Sequence, residues 1–259
     1  LPNNPSSKPG LHLALIPDGN RRWAREHKFK NVWKGHEQAI ENFRSITEWC
    51  RKNPEIKILT VWCFSTENWQ RDPAEITMLM NMLEQYLRKE QLGFIDQKTR
   101  FVHSGRRDRI PPSLKKLIEE TEELTKDETD FTLNLAVDYG GKDEILRAIQ
   151  KGQLANWQLA VDEKAKSQLP ARPKSAADRG GLIDPITDKI FRSRLDHPEL
   201  PDIDLVLRSA GEMRTSNFSL WQSAYAEWIF SPKYFPDIDI ADLEAAMEEY
   251  HRRKRRFGF

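Results

Sequence analysis

LHLALIPDGNRRWA, residues 11–24, decides how this chain is read. An apolar run, Leu11–Ile16, stops at Pro17; Asp18, Gly19 and Asn20 follow, and then the pair Arg21-Arg22. Asp-Gly after alternating residues is a strong β-hairpin signal, and Leu11, Leu13 and Leu15 do alternate. A hairpin needs a second arm with a period of two. Arg21-Arg22-Trp23-Ala24-Arg25-Glu26 has no such period and reads as the start of a helix. The segment is therefore strand, tight turn, helix. A helix N-terminus offers free N–H groups and the positive end of its dipole, which suits a phosphate. Asp18 would repel that phosphate unless a hard cation lies between them. Mg²⁺ binds in this way, through one or two carboxylates and substrate phosphate oxygens. Taken alone, the stretch fits an ordinary turn as well as such a site.

The alternation of short apolar runs with longer amphipathic ones continues through all 259 residues. It predicts strands at Leu11–Ile16, Ile58–Phe64, Arg100–Ser104, Phe131–Val137, Leu205–Leu207 and Trp228–Phe230. Helices are expected at Arg21–His27, Glu37–Lys52, Pro73–Glu90, Pro112–Thr125, Lys142–Gln150, Leu220–Ala226 and Ala241–Arg253. That order predicts an α/β fold: a mostly parallel central sheet of about six strands flanked by helices. Residues 1–10 read as a polar tail and 11–259 as a single domain. The Pro/Gly-rich, apolar-poor stretch 169–184 reads as a loop insertion within it.

Composition narrows the function classes. Hydrophobic residues make up 38% and charged residues 31%, as in a soluble globular protein with a highly charged surface. A net charge of +1 gives no global field for nucleic acid. No apolar stretch approaches the roughly 20 residues that span a bilayer. LPNNPSSKPG is polar and Pro-rich, unlike a signal peptide. Cys50 and Cys63 lack CxxC or Cys/His metal spacing, and Cys63 reads as a buried thiol in a reducing compartment, which places the chain in the cytoplasm.

In open α/β sheets the site lies outside the carboxyl ends of the strands. After Ile58–Phe64 comes STENWQR, which puts Ser65, Asn68 and Arg71 on one loop before a helix start, Asp72-Pro73-Ala74-Glu75. Asp as N-cap, Pro at the first position and Glu at the third make that start structural. After Phe131–Val137 comes DYGGK, Asp138–Lys142, which lacks P-loop spacing and reads more readily as a tight βα turn than as an anion site. After Leu205–Leu207 comes RSAGEMRTSN, with Arg208 and Arg214 among hydroxyls, and arginine is suited to bidentate phosphate recognition.

Together PDGNRRWA, Gly35-His36, FSTENWQR, LNLAVDYGG, RSAGEMRTSNFSLWQSAYAE and the terminal RRFG resemble the cis-prenyltransferases, the family of undecaprenyl-diphosphate synthase and dehydrodolichyl-diphosphate synthase, from about Leu11 to Phe259. The resemblance implies repeated addition of isopentenyl diphosphate to an allylic prenyl diphosphate, with Mg²⁺ and a cis double bond at each step. It implies that Asp18 binds the metal, that Asn20, Arg21 and Arg22 sit around the allylic diphosphate, and that Gly19, Trp23, Trp69 and Arg71 also bind substrate. His36, Ser65 and Asn68 would lie near the reacting carbons, and Arg208, Arg214 and Ser216 would hold isopentenyl diphosphate. Glu227 would be a second metal carboxylate, supplied in some members across a homodimer. Arg256 and Gly258 would reach the partner's site. An apolar product tunnel would run along Met78–Leu87, which by periodicity is core, with Cys63 on its wall.

Departures from the family pattern are Pro17 for a methionine, Lys28 or Lys30 for an arginine before Gly35, Lys142 for an arginine, and Ala210 for a glycine. The basic stretch His251–Arg256 fits a solvated helix end or peripheral contact with an anionic membrane. The competing readings are a non-catalytic partner subunit, a polyprenyl-lipid carrier, and a family member with another allylic acceptor or a short product. A trans-prenyltransferase would need a DDxxD motif, which the chain lacks.

Overall fold

The computed structural model describes residues 10–152 and 186–253. The expected polar tail up to residue 9, the expected insertion at 169–184, and Arg256 and Gly258 lie outside the described residues. Six strands form one sheet: β1 Leu11–Ile16, β2 Ile56–Ser65, β3 Thr99–Ser104, β4 Phe131–Tyr139, β5 Leu205–Arg208 and β6 Glu227–Phe230. The helices are α1 Asn20–Glu26, α2 Lys34–Lys52, α3 Pro73–Asp96, α4 Pro112–Leu124, α5 over residues 141–152, α6 Asp188–Arg192 and α7 Ile240–Arg252. A 3₁₀ turn, Thr66–Gln70, links β2 to α3.

All strand pairs are parallel, in the order β3-β4-β2-β1-β5-β6. Parallel strands are buried on both faces and read as near-continuous apolar runs, and every residue of β1 is buried. The period of two sorts them. Leu11, Leu13, Leu15, Leu205 and Leu207 join a core with α2, α3, α4 and α7, through residues such as Phe43, Ile46, Leu87, Leu117 and Leu243. Ala14, Ile16 and Val206 point the other way, to a smaller cluster with Ile203, Tyr139 and Phe218. Burying a side chain of this size contributes about 1.5–3 kcal/mol, so the larger face holds the helices.

Two compact units are distinguishable, residues 1–141 with 201–259 and residues 142–200. The first carries the sheet. Within the second, Arg147 pairs with Asp196 and with Asp143 at 2.7 Å, so one guanidinium ties α5 to the loop after α6.

The expected helix at Leu220–Ala226 is absent; these residues form successive turns into β6. The carbonyl of Gln222 accepts from the Ile203 N–H at 2.9 Å, so the segment serves the chain before β5 rather than a helical ladder. Just upstream, Ser216, Asn217 and Ser219 have φ of 50°, 71° and 39°, outside the right-handed helical region.

Candidate active site

β1 lies between β2 and β5, and the loops following these three strands converge. They enclose a cavity of about 620 Å³. Its wall includes Asp18, Gly19, Asn20, Arg21, Arg22, His36, Ser65, Asn68, Arg71, Arg208 and Ser216. The two groups of anion-binding candidates, distant in sequence, thus share one cavity. The wall carries Arg21, Arg22, Arg25, Arg71 and Arg208 against Asp18 and Glu67, and with Glu75 and Glu212 pairing Arg21, Arg71 and Arg22 from outside the wall its net charge stays positive.

Asp18 is held from several sides. Its N–H donates to Ser209 Oγ at 2.8 Å, and its carbonyl accepts from the Phe235 N–H at 3.0 Å. Its carboxylate accepts from the Gly19 N–H at 2.8 Å and from Arg208 Nη2 at 3.0 Å. Gly19 has φ +94°, and a Cβ there would lie 2.5 Å from the Tyr234 ring, so only glycine fits. Arg208, 3% exposed, also donates to Ser216 Oγ at 2.8 Å and to the Arg214 carbonyl. The loop that arranges this has positive φ at Ala210 and Gly211 as well as at Ser216, Asn217 and Ser219. Ala210, at φ 71°, explains why glycine is the usual choice there. Such conformations cost about 1–3 kcal/mol each and persist where surrounding structure imposes them.

Ser65 and Asn68 form a reciprocal capping box on the 3₁₀ turn, with the Ser65 N–H donating to Asn68 Oδ1 at 3.1 Å. His36 sits where α2 meets α1, its Nδ1 3.5 Å from Asn20 Nδ2. Gly35 permits that approach, because a Cβ there would lie 1.9 Å from the Asn20 carbonyl oxygen. Burial, with the nearby Arg71 and Arg21 charges, lowers the His36 pKa to about 4, so the imidazole is neutral near pH 7. Asn20 Oδ1, Arg21 Nε, His36 Nε2 and Arg208 Nε are buried without hydrogen-bond partners. Buried polar atoms are normally satisfied by protein groups, water or a ligand, and these four belong to residues on one cavity wall.

Several expected residues lie elsewhere. The indole N–H of Trp23 donates to Asp237 at 2.7 Å, and that of Trp69 to Asp138 at 2.8 Å, so both groups serve internal contacts outside the cavity wall. The Arg214 side chain is 61% exposed, pairs with Glu212 and is not part of the cavity wall. Glu227 begins β6, level with Leu205 and hence Leu13, three residues before the Asp18 end of the sheet. It pairs with Arg253 at 2.9 Å, so within one chain it is no partner of Asp18 for a metal. Lys28 and Lys30 are exposed and off the wall, where Arg25 stands instead. Gly140 and Gly141 pack closely on Thr66, Asn217 and Leu220, which supports the tight-turn reading of that stretch.

Glu75 is the residue the sequence reading placed in the wrong role. Asp72 alone caps α3, accepting from the Ala74 N–H at 2.8 Å. The Glu75 carboxylate, 4% exposed, instead accepts from Arg21 and from Arg71, each at 3.1 Å. The four-residue spacing of Arg71 and Glu75 was the available signal.

A second, apolar pocket of about 90 Å³ adjoins the cavity, and the two share Pro17, Asn20, His36, Cys63 and Leu79 in their walls. Phe43, Leu83, Tyr86 and Leu135 line its depth, with the Phe43 and Tyr86 rings 5.2 Å apart. Among the described residues no cluster of three or more His, Cys, Asp or Glu side chains forms a ready-made metal cage. The half-exposed Asp18 carboxylate beside a cationic wall suits a cation completed by phosphate oxygens and water, the habit of Mg²⁺.

Comparison with known proteins agrees with this geometry. Residues 16–258 match the family model for undecaprenyl diphosphate synthase. An isoprenyl transferase of Rhodopirellula baltica is 39% identical over 95% of this chain and 92% of its own length. Isoprenyl transferase 2 of Corynebacterium efficiens is 40% identical over 99% of this chain and 97% of its own. The crystal structure of lavandulyl diphosphate synthase from Lavandula x intermedia, in complex with dimethylallyl diphosphate, superposes with a TM-score of 0.81 at 33% identity, covering 96% of this chain and 98% of that one. With sheet, cavity and sequence in agreement over nearly its whole length, the chain belongs to the undecaprenyl diphosphate synthase family of prenyltransferases.

Proposed function

We propose that the protein condenses isopentenyl diphosphate with an allylic prenyl diphosphate, releasing diphosphate and forming a cis-prenyl diphosphate. The observation that carries this reading is the cationic cavity around Asp18 lying against an apolar pocket with which it shares five wall residues. A prenyl diphosphate has the same two halves, an anionic head and an apolar tail. The structural neighbour crystallised with dimethylallyl diphosphate supports an allylic substrate.

In the condensation the isopentenyl double bond attacks the allylic carbon, the allylic C–O bond breaks, and a proton leaves the isopentenyl C2. Negative charge grows on the departing diphosphate, where preorganised cations are most effective. Arg21, Arg22 and Arg71 serve the allylic head; Arg208 and Ser216 serve isopentenyl diphosphate. Holding both in one cavity supplies proximity. Mg²⁺ held by Asp18 would neutralise phosphate charge as a Lewis acid. His36, neutral with Nε2 unpartnered, is suited to accept the proton. Diphosphate bound against Arg71 and Arg21 would offset the charges that depress its pKa and make it a better base. Ser65 and Asn68 shape the wall beside it.

We assign a homodimer in the cytoplasm, with Arg256 and Gly258 reaching the partner's site. β6 is a half-buried edge strand carrying Trp228, Ile229 and Phe230, a surface suited to pairing. Both thiols are free, and no helix among the described residues is long and apolar enough to cross a membrane. Product chromatography with labelled isopentenyl diphosphate, a panel of allylic primers and added Mg²⁺ tests the reading. Label in primer-extended prenyl diphosphates is expected; no incorporation with any primer would overturn it.

A further inference from the structure

We infer that Glu75 is a positioning residue that presets the Arg21 and Arg71 guanidiniums for a diphosphate; this rests on the reading of the cavity as a prenyl diphosphate site. Arg21 is in the first turn of α1, whereas Arg71 follows the 3₁₀ turn after β2. Among the described residues no backbone hydrogen bond joins these two segments. The Glu75 carboxylate does so from the first turn of α3, through Arg21 Nη1 and Arg71 Nη1. Both arginines line the cavity, while Glu75 lies behind them, buried.

The charges explain why a carboxylate is needed there. Two guanidiniums sharing one acceptor repel each other, and their side chains are 42% and 35% exposed, so solvent offers each an alternative. One buried negative charge holds both and leaves a net positive charge toward the cavity. Arg21 Nε remains buried without a partner. Arginine held in this way loses less rotamer freedom when a phosphate arrives, the general advantage of preorganisation.

The sign of one substitution separates this role from its alternative. As a bare charge beside an anion site, Glu75 would repel diphosphate, and Glu75→Gln would tighten binding. As a positioning residue it favours binding, and Glu75→Gln would weaken it. The experiment is calorimetric titration of the full-length protein with inorganic diphosphate at fixed ionic strength. Glu75→Gln is expected to raise Kd about tenfold, the scale of ordering two long side chains anew, with the circular dichroism spectrum unchanged. In a chain already carrying Arg21→Ala and Arg71→Ala, adding Glu75→Gln is expected to weaken binding no further. A purely structural role would not give that dependence on the two arginines.

Glu75→Asp keeps the charge but shortens its reach, and is expected to give an intermediate Kd; it carries the test if Glu75→Gln does not fold. Unchanged or tighter binding in the folded Glu75 variants, or equal weakening with and without the arginines, overturns the role of Glu75. A parent protein that does not bind diphosphate overturns the underlying reading of the cavity instead.

Discussion

Asp18→Asn tests the metal-bearing role proposed for the turn with little change of shape. In the parent, the two carboxylate oxygens accept from the Gly19 N–H and from Arg208 Nη2. An amide can satisfy only one of these as an acceptor and presents a donor to the other. A lost hydrogen bond to a charged group costs about 1.5–3 kcal/mol when buried. Asp18 is 36% exposed, and Arg208 keeps Ser216 Oγ and the Arg214 carbonyl, so screening reduces the loss to about 1 kcal/mol. For a chain of this length that is a fall in Tm of about 2–4 °C. The effect on chemistry is larger. Losing a main electrostatic stabiliser of the leaving group should lower turnover by about 10²–10³-fold. Initial rates of isopentenyl incorporation across a Mg²⁺ titration, alongside a thermal melt, measure both effects. Near-parental turnover at saturating Mg²⁺ in a folded Asp18→Asn variant would refute the reasoning.

Other outcomes follow from the same geometry. In the free protein His36 should stay neutral on acidification until about pH 4, so its ring resonances should scarcely titrate from pH 8 to about pH 5, and kcat/KM, which reports the free enzyme, should not show an acidic limb at the ordinary imidazole value. Arg71→Gln removes one of the charges that lower it, so the His36 midpoint should rise, and a midpoint unmoved in NMR titration would contradict the assigned cause. Gly35→Ala forces a Cβ against the Asn20 carbonyl and should destabilise by about 1–3 kcal/mol while separating α1 from His36; a denaturant melt with an unchanged midpoint would count against that packing. Removing residues 256–259 should leave a folded dimer with severely reduced activity. Subunit exchange between that truncation and Asp18→Ala should restore some turnover if the tail acts across the dimer, because one of the two sites is then free of both defects; no recovery on mixing would place the tail in its own chain's site.

Much was legible in the sequence because it was written locally. Leu11–Ile16 was already bounded as a strand by its apolar run and Pro17, and parallel strands buried on both faces do read as such runs. The residues around Asp18 and on the loops at Ser65 and Arg208 that line the cavity were identifiable as candidates because ligands in this architecture bind outside the carboxyl ends of strands. The Leu220–Ala226 stretch misled because its apolar spacing suits a helix, whereas its Gln222 carbonyl is taken up as the acceptor of the distant Ile203 N–H and the stretch forms turns.

What only the tertiary structure decided is which side chains share space and what each one spends its hydrogen bonds on. The sequence alone determined an α/β order, a strand–turn–helix at Asp18 and a supply of arginines on two distant loops. It could not show that Asp18 and Arg208 meet at 3.0 Å, since that depends on β1 and β5 being neighbours in the sheet. Nor could it show that Trp23 and Trp69 turn inward to Asp237 and Asp138, or that Glu227 sits away from the Asp18 end of the sheet. Glu75 is the clearest instance: a glutamate in the first turn of a helix satisfies local rules in either role. Only the approach of α1 and the 3₁₀ turn to α3 gives its carboxylate two guanidiniums to hold. Local propensity depends on neighbours along the chain, whereas charge pairing and burial depend on neighbours in space.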